Sequence, residues 1–416
     1  MQQKFRISGI VTLLLLIGLL LRTGALLGTK AYEHPGAWEY GDIAQNIAAG
    51  NGFSRVARFS DSLEPTSSHA PLYPYLLAFS YKTTGGAVPL LILQIILSTI
   101  TILLIHQTAL LLFNRTAASI SALFICLYPP LIYYSIKLTP TTLFLFLLAS
   151  TILLILKLNN ARRRTAIAAG FTLGLSILCN PVAFSLIPAI ILHWIITGRK
   201  ILKQYIILFV ITLLTLIPWT IRNYAVHHSL IPITTQAGVN FWIGNNPHAT
   251  GTDYYKVSSP EQGDFVLMVE TLPRSMKQNL ISYTEIERAN FFLSEGMKFI
   301  KKEPAKFIIL LCKKALYFWW FAPLQINGSP DANKYRNFHI VLYLPVLILG
   351  LCGVFFSLYH PVNKKAVFIT CFIILLSLIY IITHVGLIRY RMPVEIYLMM
   401  FGSFTLSRFL HRRFFK

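Results

Sequence analysis

The sequence predicts an all-α polytopic membrane protein with about ten transmembrane helices, amphipathic interfacial helices and an extracytoplasmic loop subdomain. Three observations carry that expectation. Of the 416 residues, 55% are hydrophobic and only 12% are charged, against roughly 25% charged in soluble domains. Mean hydropathy is +0.61. Apolar runs of about 18 to 25 residues recur along the chain, long enough for a helix to cross a bilayer. A net charge of +22 raises the question of nucleic acid, but no basic stripe with interleaved aromatics stands apart from the apolar runs. The charge reads instead as topology, with Lys and Arg holding cytoplasmic ends near anionic lipid.

The first apolar run, near residues 7–27, follows Lys4 and Arg6 and ends at Thr23-Gly24-Ala25, a poor cleavage sequence, so it is expected to stay as a signal anchor. Residues 28–87 form a first extracytoplasmic loop. Within it Ile43, Ile47 and Ala48 recur at helical spacing before Gly50 and Gly52, which predicts a short amphipathic helix at the membrane surface. Spans follow near 88–113, 117–137, 140–157, 165–181, 183–197 and 204–221. A large extracytoplasmic loop, 222–338, comes next. Its stretch Pro304–Pro323 carries Lys306, Lys313 and Lys314, which would be costly at the bilayer centre. It is expected to lie in the interface with Phe318, Trp319 and Trp320 at headgroup level. The last spans fall near 339–358, 366–383 and 393–410. This order places Lys4 and Arg6, Arg162-Arg163-Arg164, Arg199-Lys200 with Lys203, Lys364-Lys365 and the tail Arg412-Arg413-Lys416 on one side, the cytoplasmic one. No internal repeat divides the chain, so 1–416 reads as a single integral membrane domain. Five cysteines without CxxC spacing indicate neither a disulfide framework nor a zinc site.

Chemistry concentrates on the outer side. Glu39 and Asp42 stand three apart in the first loop and share a face of any helical turn there. A carboxylate at the interface can deprotonate an acceptor hydroxyl or amine, or bind a divalent cation such as Mg or Mn; the competing reading is a solvated charge at a helix N-terminus. Glu33, Asp61 and Glu64 are the other loop carboxylates nearby that a metal would draw on. His69 precedes Pro71 and Pro74 and could bind phosphate or orient a substrate, against the plainer reading of an exposed loop histidine. Arg22, Arg222, Arg389 and Arg391 lie at outer positions, against the positive-inside trend. Guanidinium groups hold phosphate oxygens bidentately, so a lipid phosphate would explain them; snorkelling to headgroups is the alternative. Asn223, Asn245 and Asn246 sit among turn formers and aromatics that could build a sugar-stacking surface or simply make turns.

These residues resemble a known pattern. Glu39-Tyr40-x-x-Ile43-Ala44-x-Asn46, Gly50-x-Gly52-Phe53 and Pro71-Leu72-Tyr73-Pro74 resemble the first extracytoplasmic loop of GT-C superfamily glycosyltransferases, in particular the branch of protein O-mannosyltransferases and the lipid A aminoarabinose transferase. Arg222-Asn223-Tyr224, Trp242-Ile243-Gly244-Asn245-Asn246-Pro247 and Arg389-Tyr390-Arg391-Met392-Pro393 are similar to motifs of bacterial members, in the same order. The resemblance implies transfer of a sugar from a polyprenyl-phosphate donor to a glycan, lipid or protein acceptor outside a bacterial inner membrane. Glu39 or Asp42 would then be the base or a metal ligand, and Arg389 and Arg391 would hold the donor phosphate. His69 fills the slot where relatives often place a Lys. The chain departs from the pattern at Gly36 and Ala37, where better known members carry an Asp-Glu pair, and at Ala70-Pro71, where they carry Pro-Pro.

The reading is therefore a lipid-linked glycosyltransferase of the cell envelope. Its rivals are a lipid-sugar transporter or flippase, an O-antigen polymerase or ligase, and a scaffold without catalysis. A transporter predicts inverted repeats and ionisable groups in mid-span.

Overall fold

The computed structural model describes residues 9–33, 35–56, 62–158, 163–198, 201–252, 254–256, 265–267, 272–321, 330–359, 361–383 and 388–414. Each of the ten apolar runs is helical. Helix α1 (Gly9–Thr29) leads to α2 (Trp38–Ala48), the amphipathic helix expected in the first loop. A small antiparallel hairpin follows, β1 (Ser54–Val56) on β2 (Leu63–Pro65), with Arg55 opposite Glu64. After α3 (Leu72–Thr84) come α4 (Val88–Leu112), α5 (Arg115–Leu127) and α6 (Pro129–Ser135). The last two form one apolar run bent by 54°, because Pro129 and Pro130 remove the amide donors that would continue the helix. Then follow α7 (Thr141–Leu156), α8 (Arg163–Cys179), a 3-10 turn (Pro181–Ser185) running into α9 (Leu186–Thr197), and α10 (Leu202–His227).

The second loop holds α11 (Gln236–Gly244), a two-stranded ribbon of β3 (Tyr254–Lys256) and β4 (Phe265–Leu267), α12 (Arg274–Ser282), α13 (Glu285–Lys302) and α14 (Pro304–Trp319). The chain closes with α15 (Pro330–Leu358), α16 (Lys364–Ile382), a 3-10 turn (Ile388–Tyr390) and α17 (Met392–Phe414).

Among the described residues five helices are long and apolar enough to cross a membrane: α1, α4, α10, the 337–358 part of α15, and α16; the bent α5–α6 pair makes a sixth. The remaining expected spans are shorter or more polar for a physical reason. Helix α7 has 16 residues, about 24 Å at 1.5 Å per residue, and packs between α4 and α8 with nearly every side chain buried. A helix surrounded by protein need not match the lipid thickness. Helix α17 carries Glu395 and Arg408 among its apolar residues. Small residues bring the helices close: a Cβ on Gly170 would collide with the Leu208 carbonyl of α10, and one on Gly353 with the Phe401 carbonyl of α17.

The helix ends sort into two faces. At one end Asn363 donates to the Leu112 carbonyl at 2.9 Å and Asn114 to Ser407 Oγ at 3.3 Å, joining the α4–α5 and α15–α16 connections to α17. The other end collects α2, α3, the α6–α7 connection, the α8–α9 connection, the second loop and the α16–α17 connection. Helix α13 starts with a capping box between Thr284 and Glu287 and packs with α11 and α12 around Trp242, Leu280 and Phe292. It clamps the first loop by Arg288 to Glu64 at 2.8 Å and by Glu285 to Ser67 N at 2.9 Å.

Helix α14 departs from the expected interfacial placement at Lys314, while Lys313 is exposed and Lys306 half-buried. Lys314 is fully buried, and its Nζ donates to the Gly244 carbonyl, Asn245 Oδ1 and the Ile382 and Thr383 carbonyls at 3.0–3.2 Å. Burial pushes its ammonium down to about 7. Phe318, expected at headgroup level, is also buried, stacked on Tyr380 at 5.9 Å. The hydrophobic run was too short to hide a lysine in lipid, but three backbone carbonyls and an amide replace its water.

Candidate active site

A cavity of about 370 Å³ opens at the end of the bundle that carries the two long loops. Its walls come from segments far apart in sequence: Glu39 and Tyr40 of α2, Ser68 and His69, Thr139 to Thr141, Asn180 to Val182, Gln236 and Asn240 of α11, Tyr380 and Thr383 of α16, and Arg389 and Tyr390. Glu39 is the only carboxylate among the described lining residues.

Local sequence puts Glu39 there. It lies in the first turn of α2, where the free amides of a helix N-terminus favour negative charge. Its Oε1 accepts from Arg55 Nη2 at 3.1 Å, and its Oε2 meets His69 Nε2 at 3.0 Å. Arg55 reaches it from β1, which the hairpin partner Glu64 aligns. His69 is fixed at its other nitrogen by Ser68 Oγ at 2.9 Å. The ring of Tyr40 stands edge-on to His69 at 5.0 Å and to Tyr73 at 5.6 Å. Burial pushes the Tyr40 phenol up to about 12, against the pull of Arg389, so it stays neutral at ordinary pH.

Across the cavity Tyr390 stacks on Tyr380 at 4.9 Å, and the Arg389 guanidinium lies 5.6 Å from the Tyr390 ring centre. Burial works against the charge of Arg389, but the hydroxyls of Tyr390 and Tyr40 outweigh it and hold the guanidinium proton more firmly than usual. One cavity thus carries a carboxylate held by Arg55 and His69, a guanidinium on another wall, and a polar lining of Asn180, Asn240, Gln236 and Thr residues. That is suited to an anionic ligand bearing hydroxyl groups.

Of the sequence candidates the fold brings together Glu39, His69, Arg389 and Tyr390. Asp42, although three residues from Glu39 on α2, is exposed and does not line the cavity. Arg22 is fully buried in the bundle and donates to Ser98 Oγ, Gly18 O, Ile125 O and Cys126 O, which replaces a phosphate with helix carbonyls. Arg222 donates to Thr66 O at 2.7 Å and Phe53 O at 2.8 Å and lies over Trp219, so it pins the first loop. Asn223 accepts from Ser67 Oγ at 2.7 Å and donates to Ile231 O and Ile233 O. Asn245 ties Phe241 O to Ile382 O, and Asn246 bonds Trp242 O and His248 N. Arg391 is buried against Glu395. None of these six lines the cavity.

Sequence reasoning missed Arg55, Tyr380, Asn180 and Gln236. A lone arginine in a loop and amides in separate segments carry no spacing signal; only their convergence marks them. Among the described residues no group of three or more His, Cys, Asp and Glu could hold a metal ion. Glu33 pairs with Lys30 at 3.7 Å, and Asp61 lies outside the described residues.

Comparison with known proteins follows the same lines. The family model for dolichyl-phosphate-mannose-protein mannosyltransferases matches residues 68–221. The apo oligosaccharyltransferase of Archaeoglobus fulgidus superposes with a TM-score of 0.60 at 12% identity, over 99% of this chain and 51% of that one. ArnT from Cupriavidus metallidurans, solved with undecaprenyl phosphate, superposes with a TM-score of 0.58 at 13% identity, over 97% of this chain and 61% of that one. The chain has the fold of the GT-C membrane glycosyltransferases. A further GT-C structure, the Archaeoglobus fulgidus AglB with an inhibitory peptide and a dolichol-phosphate, gives a TM-score of 0.54 at 14% identity, over 97% of this chain and 50% of that one. The chain spans roughly half to three fifths of the length of these GT-C proteins. No curated protein sequence matches it.

Proposed function

We propose that the chain transfers a sugar from a polyprenyl-phosphate donor to an acceptor outside the cytoplasmic membrane of a bacterium, with Glu39 as the base. The observation that carries this reading is the cavity itself, which sets Glu39 with His69 on one wall and Arg389 on another, at the loop-bearing end of a GT-C bundle. The lipid phosphates in the ArnT and AglB structures support the donor class.

The reaction is a direct displacement. The acceptor oxygen forms a bond to the anomeric carbon as the bond from that carbon to the phosphate oxygen breaks. The electron pair leaves on the polyprenyl phosphate, and the acceptor's proton passes to the Glu39 carboxylate. Arg55 and His69 aim that carboxylate, each at one oxygen, while leaving lone pairs for the proton. Arg389 stabilises the charge that develops on the leaving phosphate. Asn180, Asn240 and Gln236 offer amides to the sugar hydroxyls, and the Tyr380–Tyr390 stack offers an aromatic wall. Described residues of the loops 28–87 and 222–338, Glu39 and His69 from the first and Gln236 and Asn240 from the second, border the cavity, which supports reading 1–416 as one domain.

The test compares the wild type with Glu39→Gln in a deletion strain at equal membrane levels, with envelope glycolipids, lipopolysaccharide and glycans read by mass spectrometry. A sugar-sized mass difference restored by the wild type and absent with Glu39→Gln supports the transfer; equal restoration by both rejects it.

A further inference from the structure

Four described tyrosines, Tyr40, Tyr134, Tyr380 and Tyr390, gather within electrostatic reach of Arg389. Three of their hydroxyls already have protein partners. Tyr390 is bonded by the Arg389 guanidinium, Tyr134 by the Arg389 backbone and Tyr380 by the Asn180 side chain. The fourth, Tyr40, also feels the Glu39 carboxylate. Among the described residues none hydrogen-bonds its hydroxyl, so the phenol proton and lone pairs are both uncommitted.

The ring that carries this hydroxyl is held in place. Tyr40 follows Glu39 in the first turn of α2 and borders the cavity. Its ring meets His69 edge-on at 5.0 Å and Tyr73 at 5.6 Å. Tyr73 is in turn anchored in the bundle, where it is fully buried and its Oη donates to Gln94 Oε1 at 2.8 Å. A phenol held from two sides offers its hydrogen bond at a fixed place, without the ordering cost of a flexible side chain. Burial keeps the proton on it up to about 12, so at ordinary pH it donates and carries no charge. A neutral donor beside a guanidinium is matched to an anionic oxygen, because hydrogen bonds to ionised acceptors are the strong ones.

We propose that Tyr40 is a further catalytic residue, whose hydroxyl donates to a non-bridging oxygen of the carrier phosphate alongside the Arg389 guanidinium. This role rests on the proposed transfer. As the bond from the anomeric carbon to the phosphate oxygen breaks, the electron pair stays on the phosphate, which gains a negative charge. The Tyr40 proton stays on Tyr40, and its hydrogen bond strengthens as that charge grows. The contact is therefore worth more in the transition state than in the bound donor, which is what raises a rate.

The experiment uses the full chain in lipid nanodiscs and two probes, undecaprenyl phosphate and undecaprenol, which differ only in the phosphate. Binding is read by native mass spectrometry. The wild type is expected to prefer the phosphate. Tyr40→Phe keeps the ring and its contacts with His69 and Tyr73 and removes the hydroxyl alone. It is expected to weaken undecaprenyl phosphate about tenfold, the scale of one hydrogen bond to a charged group, and to leave undecaprenol unchanged. In the deletion strain the same variant is expected to lower the sugar-bearing product by about tenfold or more. Equal losses for both probes would show that the hydroxyl only supports the fold, and overturn the proposal. A wild type that prefers the phosphate and a Tyr40→Phe that keeps the full preference overturn the Tyr40 role alone, leaving Glu39→Gln to judge the transfer. A wild type that binds both probes alike overturns the carrier-phosphate reading, and this role with it.

Discussion

Arg389 and Arg391 leave the same short connection between α16 and α17, and the molecule uses them in opposite ways. Arg389 is half-buried, borders the cavity and rests on tyrosines. Arg391 points inward, where its Nε meets Glu395 Oε1 at 2.6 Å and its guanidinium lies 3.6 Å from the Tyr343 ring centre. It also donates to the Phe318 and Trp320 carbonyls, and Glu395 receives Tyr128 Oη at 2.9 Å. The difference is made by one acid a helical turn away: Glu395 at i+4 captures Arg391, and no acid stands at the corresponding distance from Arg389. Here the cation with an acid one turn away becomes frame, and its neighbour two residues earlier borders the cavity.

That contrast can be broken at several points. The largest effect is expected at the base: Glu39→Gln should cut sugar-bearing product by at least about 100-fold, the usual scale of lost acid–base catalysis, with no change in thermal stability of the purified protein. Next are the two arginines. Arg391→Ala strands the fully buried Glu395 and should cost about 3–5 kcal/mol, seen as a collapse in the monodisperse fraction after heating. Arg389→Ala should leave that fraction intact and lower product about tenfold or more, as for loss of one charge-stabilising donor. If Arg389→Ala unfolds the protein while Arg391→Ala only slows it, the division between frame and site is wrong.

A smaller effect concerns Lys314, another cation held by frame atoms. Its folded-state proton affinity is depressed, to about 7 from the ordinary 10.5, so between those values the unfolded chain binds the extra proton. Stability must therefore rise with pH across that window and be lowest below it. Melting in detergent is expected to rise by about 2 °C per pH unit from pH 7 upward, and Lys314→Met should flatten the rise. The smallest effect is at Asp42, exposed and off the cavity. Asp42→Asn should change product by less than about twofold, as surface substitutions do. A loss comparable to that of Glu39→Gln would move the base to Asp42.

How far the sequence reached can be judged on particular residues. Ten apolar runs were legible because a bilayer demands continuous hydrophobic length, and the turns at Gly50 and Gly52 and the prolines at Pro129 and Pro130 act through their own backbones. Glu39 stood out because acids are rare in this chain, and His69 because it precedes a proline pair. What the runs did not say was which helices lie inside the bundle, so α7 read like any other span. Likewise the outer arginines looked equivalent. Arg22, Arg222 and Arg391 were each a free cation in sequence, and each is consumed by carbonyls, a serine or an acid from a distant segment or a neighbouring turn.

By itself, then, the sequence determined the class of solvent, the number and order of the helical runs and the loop that carries the acid. Those properties follow from residues within one turn or one span of each other. Only the tertiary structure decided that Glu39 is shared between Arg55 and His69, that Arg389 and not Arg391 borders the cavity, and that Glu285 holds Thr66 of the first loop. These contacts join residues 16 to 219 positions apart, and their strength depends on distance and burial, which side-chain type and spacing do not encode.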